Sequence, residues 1–260
     1  MRFAILFATT LLATTTASAA PLKLDYKIYA GGLEALTATI TYGLEPSSYS
    51  LDIDGKTAGT IGAAFPWSTH LLSAGRIAAG EVKPEKHVVE STWKEQKRST
   101  TLAYDGAGGF LTKKVEPPPA EDNVDEVAPE LTTNTVDLLS AVAGALKRIE
   151  DKGTCDGSQS VYDGRRRFEV KFVDGGAATL EPSSYTAYAG ATRKCDIRVE
   201  PGPGFWRKNQ KRWFTQKDGS LPPITVWAAP LGAQKRQVPV KIESVSPFGA
   251  VVVQLVKVGA

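Results

Sequence analysis

Leu22-Lys23-Leu24-Asp25-Tyr26-Lys27-Ile28-Tyr29-Ala30 is the stretch whose reading decides the fold: Leu22, Leu24, Tyr26, Ile28 and Ala30 alternate with Lys23, Asp25 and Lys27. Successive side chains of a strand point to opposite faces, so the pattern predicts a strand with one side in a core and one in water. Gly31-Gly32 turns the chain, and Leu36, Ala38, Ile40 and Tyr42 repeat the alternation. Tyr49, Leu51 and Ile53 follow, running into Asp54-Gly55, a hairpin signal. Three strands joined by short turns make an antiparallel meander.

Period two continues along most of the chain. The Gly/Ala-rich stretch from Thr57 to Gly80, with Phe65-Pro66-Trp67 at its middle, reads as a strand that bends or breaks. Lys86 to Tyr104 alternates around the charged turn Lys94-Glu95-Gln96-Lys97-Arg98; Asp105-Gly106 closes another hairpin and Phe110 to Val115 returns. Further on, Arg166 to Val173 forms a strand with Phe168, Val170 and Phe172 on one face, and Tyr185 to Tyr188 lies on the next. Cys195, Ile197 and Val199, then Ile224 to Ala228, Val238 to Val245 and Ala250 to Val258, bring the total to about twelve strands. From Glu116 to Glu130 three consecutive prolines and six acidic residues predict an exposed loop, because proline cannot donate to a sheet ladder.

One helix interrupts the strands. Thr135 is a candidate N-cap with Asp137 in the first turn, Lys147 and Arg148 lie near the end, and Gly153 is the stop. Val136, Leu139, Val142, Ala143, Leu146 and Ile149 form an apolar stripe at helical spacing, with Leu139 and Leu146 expected to be fully buried. The stripe needs a partner, and the concave face of the sheet is the surface available. The fold class predicted is therefore mainly β: a curved antiparallel sheet, an open or spiral barrel, wrapped around one central helix.

The N-terminus places the protein. Arg2, the apolar run Phe3 to Ala13 and the small residues Ala17-Ser18-Ala19 have the layout of a secretory signal peptide over residues 1–19, cut after Ala19. The apolar stretch is too short to span a bilayer, and without a cysteine at the cut, lipidation is not expected. The mature chain, 20–260, is read as one β-rich domain in the periplasm. The formal net charge of +3 falls by one when Arg2 leaves, too small for a dedicated nucleic-acid binder. The two cysteines, Cys155 and Cys195, form an even pair, which in an exported chain favours a disulfide. Such a bond, closing some forty residues, stabilises by about 4 kcal/mol on chain-entropy grounds. A two-cysteine metal site completed by His70 and His87 has suitable ligand types but lacks the short Cys-x-x-Cys spacing of structural zinc.

The second half carries a recognisable pattern. Asp137-Leu138-Leu139-Ser140-Ala141 opens the helix, Cys155 follows, and Val161-Tyr162-Asp163-Gly164-Arg165-Arg166-Arg167-Phe168 comes next. Cys195 and the strand Val238-Pro239-Val240-Lys241-Ile242 before Phe248-Gly249 complete it. The pattern resembles that of the bacterial exported proteins of domain of unknown function 3108 (DUF3108). The resemblance implies a curved antiparallel sheet around a helix, similar to the open barrels of periplasmic lipoprotein carriers, and it implies no activity.

Catalytic signals are sparse. His70 and His87 sit on candidate strands with no nucleophile motif beside them, and the chain has no Gly-x-Ser-x-Gly elbow, His-Glu-x-x-His or phosphate-cradling glycine loop. Triads are spatial, so a convergent Ser/His/acid cluster would revive an envelope hydrolase. Neither a metal nor another cofactor is expected. Alternation sends Arg166 inward with Phe168, where a guanidinium needs a partner that Asp163 or Glu169 supplies only if the turn folds back. The run Phe205-Trp206-Arg207-Lys208-Asn209-Gln210-Lys211-Arg212-Trp213-Phe214 flanks four cations with paired aromatics, suited to an anionic membrane surface. Arg166, Trp206, Arg207, Lys208, Lys211, Arg212 and Trp213 are thus the candidate ligand-binding residues. The function expected is non-enzymatic envelope maintenance by binding a lipid or lipoprotein acyl chain, the alternative a scaffold with a filled core. A cavity lined by Leu, Val and Phe separates the two.

Overall fold

The computed structural model describes residues 20–106, 109–118, 126–204, 221–246 and 249–259. The signal peptide read at 1–19 and the Trp206, Arg207, Lys208, Lys211, Arg212 and Trp213 cluster lie outside them.

The alternation does produce strands. β1 (Leu22–Ala30), β2 (Leu33–Leu44), β3 (Ser48–Thr57), β4 (Trp67–Ala78), β5 (Glu81–Trp93), β6 (Gln96–Tyr104) and β7 (Phe110–Glu116) form an antiparallel meander. β8 (Gly157–Tyr162), β9 (Arg167–Leu180), β10 (Gly190–Pro201), β11 (Ile224–Leu231), β12 (Arg236–Ser246) and β13 (Gly249–Gly259) form a second. β13 pairs with β1, so the first and last strands weld the two meanders into one sheet of order 7-6-5-4-3-2-1-13-12-11-10-9-8.

The sheet curves without closing by hydrogen bonds. Val136, just before the helix, adds a short parallel rung to the outer edge of β8: its N–H donates to Ser160 O (3.0 Å) and its carbonyl accepts from Tyr162 N–H (2.9 Å). Across the gap the Phe110 ring of β7 meets Tyr162 edge-on at 5.7 Å. Such capping shields two edges that would otherwise template pairing with other chains.

The helices are α1 (Gly59–Ala64) and α2 (Leu138–Lys152), the latter in the concavity. The N-cap of α2 is Asp137, whose carboxylate accepts the Ser140 N–H at 3.0 Å; the expected cap, Thr135, spends its hydroxyl on Thr132 O (2.7 Å). Gly153 ends α2 in the left-handed conformation (φ 68°), as foreseen. Ala141, Ala143 and Ala145 are buried along with Leu146 and Ile149, so the helix buries more than one stripe. Alanine lets the sheet approach closely on both flanks. On one flank α2 packs with Phe168, Val170, Phe172 and Val161; on the other, Ala143 meets a core of Leu24, Tyr26, Tyr42, Leu51, Val238, Val240 and Leu255. Cys155 and Cys195 form the disulfide, tying the helix exit to β10.

Several local expectations need correction. Asp54-Gly55 lies inside β3 rather than at a hairpin, because the turn signal is overridden by continuous pairing with β2 and β4; β3 runs on to Thr57 and the chain reverses through 58–66 instead. The Thr57–Gly80 stretch is α1 followed by a long strand, the Gly/Ala content serving the short helix. Tyr185 to Tyr188 is a loop held across β13 by Ala187 N–H to Leu255 O (2.7 Å). β8 is the strand that alternation alone does not reveal, being short and Ser/Gln-rich.

Candidate functional site: an apolar cleft beside the helix

Strand direction settles where side chains meet. Antiparallel order gathers the turns at 31–32, 58–66, 94–95 and 163–166 at one rim of the sheet, where β10 also ends and β11 begins, here the α1 rim. Alternation sends Phe168, Val170 and Phe172 of β9, Ile197 and Val199 of β10, and Ile224 and Val226 of β11 to the concave side. There they face Leu138, Leu139, Val142, Ala145, Leu146 and Ile149 of α2. The two walls meet at the base, where Leu146 and Ile149 pack with Phe168, Val170 and Phe172, and part above it. Between them lies a cleft of about 610 Å³, with Cys195, Pro239 and Ile242 in its floor and Leu221 at its edge. Leu146 and Ile149 are buried, Leu139 and Val142 only half-buried and Leu138 exposed. The expected full burial of Leu139 fails because that side chain lines the open cleft.

The polar groups of the cleft sit at its mouth. Asp163 Oδ1 accepts the backbone N–H groups of Arg165 (2.9 Å) and Arg166 (2.7 Å), closing an Asx turn. Asp163 Oδ2 takes the Arg166 guanidinium, Nε at 2.9 Å and Nη2 at 2.8 Å. The turn thus folds back as inward placement of Arg166 demands, and the cation reaches the cleft already coupled to a carboxylate. Gly164 makes the tight turn possible: at φ 92°, a Cβ there would stand 2.6 Å from Thr100 Cγ2. Glu169 instead faces away, bonded to Arg167 and Ser160.

On the opposite flank of α2 is a cluster that sequence reasoning missed. Ser73, His87, Asp137, Ser140 and Tyr49 are buried together. The Asp137 carboxylate is its hub: Ser73 Oγ donates at 3.1 Å, Ser140 Oγ donates as well, and His87 Nδ1 lies 3.2 Å from Oδ1 but off the line of a hydrogen bond. Tyr49 OH sits 2.6 Å from Ser140 Oγ. Burial pushes the Asp137 carboxyl up, but His87 and the Ser140 hydroxyl and N–H outweigh it and hold it below the usual carboxylate range. These are the residue types of a hydrolytic triad, wired differently. A triad needs the imidazole between nucleophile and carboxylate; here the hydroxyls bond the carboxylate directly, and among the described residues none bonds His87. The available signal was register: Ser73 stands opposite His87 on the concave face of β4 and β5.

His70, three residues from Ser73, faces the other side of the sheet. Its Nδ1 is 3.1 Å from Asp54 Oδ1 and 3.6 Å from Asp52 Oδ1. These are the metal-ligating types grouped among the described residues, and they lie on the outer face, away from the cleft. The disulfide removes Cys155 and Cys195 from any metal site.

A family described as "Protein of unknown function (DUF3108)" matches residues 25–256. The curated proteins contain no match. The fold is similar to that of a β-barrel-like protein of domain of unknown function DUF1849 from Brucella abortus, with TM-score 0.52 and 12% identity over 92% of this chain and 97% of that one. Weaker likenesses are to a hypothetical protein from Chlamydia trachomatis (TM-score 0.30, 7% identity, 91% and 86% covered) and to a putative outer membrane lipoprotein-sorting protein domain from Vibrio parahaemolyticus (TM-score 0.25, 8% identity, 92% and 85% covered).

Proposed function

The chain belongs to the DUF3108 family, whose name carries no activity, so its function has to be read from the site, and we propose that it is an exported, non-enzymatic protein that holds an apolar or amphipathic ligand, such as a lipid or acyl chain, in the cleft beside α2. The observation that supports this is the cleft itself: its volume falls within the range of small-molecule sites, about 300–1,000 Å³, and its walls are aliphatic and aromatic with polar groups at one end. A scaffold acting by protein contact alone has no use for an unfilled slot in its core, where lost packing costs stability. The Arg166–Asp163 pair offers donors and an acceptor to a head group without presenting a net charge. The disulfide supports export, since such bonds persist in oxidising compartments, and the periplasm is the compartment the N-terminal residues suggest.

Native mass spectrometry of protein purified from its own periplasm, without detergent, tests the reading. A mass above that of the mature disulfide-bonded chain, released as lipid on denaturation, is the expected result. Ligand-free protein that also fails to take up the apolar fluorophore N-phenylnaphthylamine overturns it in favour of the scaffold.

A further inference from the structure

The cleft lies toward the α1 rim, because its lining from β9, β10 and β11 comes from the halves nearest that end. The same rim displays apolar side chains to water: Leu33 is 64% exposed, Val245 55%, Phe65 53% and Trp93 43%. Phe65 stacks on Trp93 with ring centroids 6.3 Å apart and planes 21° from parallel, and Trp67 stands opposite Trp93 in register. This cluster is built rather than frayed. Thr57 Oγ1 donates to Phe65 O (3.0 Å) and accepts from Trp67 N–H (3.0 Å), while Lys94 N–H donates to Pro66 O (3.1 Å). Those bonds fix α1, the start of β4 and the β5–β6 turn as one unit. Cations lie beside it: Lys56 at the end of β3, Lys94 in the turn and Lys97 just after, with Glu95 as the turn's one carboxylate.

We propose that the α1 rim is a docking surface for an anionic phospholipid bilayer, with Phe65 and Trp93 as its apolar anchors and Lys56, Lys94 and Lys97 as its electrostatic contacts. Aromatic side chains sit well at the polar–apolar boundary of a bilayer, and a single soluble chain seldom leaves such a patch ordered and exposed without a use for it. Each basic residue near an anionic surface adds attraction that salt screens. The inference rests on the carrier reading for its purpose, since it sets the mouth of the cleft against the phase an acyl chain would leave or enter. It does not rest on that reading for its test.

The experiment is co-sedimentation of the mature, disulfide-bonded chain with vesicles of phosphatidylglycerol and phosphatidylethanolamine, and with phosphatidylcholine vesicles as the uncharged control. Wild type is expected to bind the anionic vesicles and to release with salt. Phe65→Ser/Trp93→Ser is expected to weaken binding roughly tenfold, the effect of about 1.4 kcal/mol. Lys94→Glu/Lys97→Glu, which leaves the aromatic packing untouched, should weaken binding and flatten its salt dependence. Both variants should take up N-phenylnaphthylamine as wild type does. Absence of binding by wild type, or unchanged binding by both variants, overturns the rim proposal whatever the cleft does. So does a loss that appears only in Trp206→Ala/Trp213→Ala, which would move the contact to the aromatic–cationic run at 205–214. A chain that binds vesicles through this rim but takes up no fluorophore sinks the carrier reading and leaves the docking surface standing.

Discussion

The two flanks of α2 solve opposite problems with one helix. Toward β3, β4 and β5 the helix start is polar and filled: Ser140 and Asp137 interlock with Tyr49, Ser73 and His87. Toward β9, β10 and β11 it is apolar and only partly filled, with Val142, Ala145, Ile197 and Val199 lining the cleft. Burying a carboxylate is costly unless hydrogen bonds and charge compensate, so the polar flank holds the helix in one place. With register fixed there, the other flank can stay open without the helix sliding in to fill it. The difference teaches that the cleft belongs to a helix pinned from behind.

The strongest way to break this comparison is to remove the pin. Asp137→Ala deletes the N-cap, worth about 1 kcal/mol, and removes the charged acceptor that the Ser73 and Ser140 hydroxyls share, hydrogen bonds to a charged group being worth about 1.5–3 kcal/mol. A loss of about 3 kcal/mol or more in denaturant unfolding is expected, and one below about 1 kcal/mol would mean the cluster does not anchor the helix. The carboxyl also makes the pin acid-sensitive. Its folded-state pKa is depressed, so its contribution is complete above the unfolded value of about 4 and is lost as pH falls through the folded one. Wild type should therefore lose stability below about pH 4 more steeply than Asp137→Asn, which has no carboxyl to protonate. Parallel curves for the two proteins would contradict the assignment.

An effect of similar size should come from the buried base of the cleft. Leu146→Ala removes a side chain packed among Phe168, Val170 and Phe172, and large-to-small changes of this kind cost about 2–5 kcal/mol. Leu139→Ala, on the half-buried stretch that lines the opening, should cost clearly less. Equal costs for the two would mean the cleft is filled in solution.

How far the sequence alone could carry this fold depended on the range of each signal. Alternation in β1 and β2, the Gly31-Gly32 turn and the Gly153 stop are local and were legible. Asp54-Gly55 reads as a turn because its preference is local, and it lies within a strand because ladder pairing on both sides, a non-local fact, overrides that preference. Thr135 was preferred over Asp137 as cap for a related reason: both residue types cap helices, and only tertiary burial of Asp137 with His87 and Ser73 decides between them. Of the site, the inward face of β9 and the folding back of Arg166 onto Asp163 could be foreseen from alternation. The void could not. It arises from the spacing between α2 and a wall built from separate strands further along the chain, and apolar residues facing a cavity look the same in sequence as those facing a core. The cluster around Asp137 was hidden likewise, since Tyr49, Ser73, His87 and Ser140 converge from four separate elements.

The smallest expected effect is also the sharpest test of the contrast between flanks. Ala143 and Val142 are neighbours on α2; Ala143 faces the filled core with Leu24, Val238 and Leu255, and Val142 faces the cleft. Added bulk in a close-packed interior forces neighbours off their rotamers and costs about 1–3 kcal/mol. Ala143→Leu should pay that in full. Val142→Phe should change stability by no more than about 0.5 kcal/mol, because the ring enters space that is already empty, and burial of its added apolar area offsets lost side-chain freedom. Yet that variant should lose uptake of N-phenylnaphthylamine, since the ring occupies the volume the fluorophore needs. Thermal unfolding and fluorophore titration on the same two proteins give both readouts. If Val142→Phe destabilises as much as Ala143→Leu, the cleft is not open in solution, and its proposed ligand has nowhere to sit.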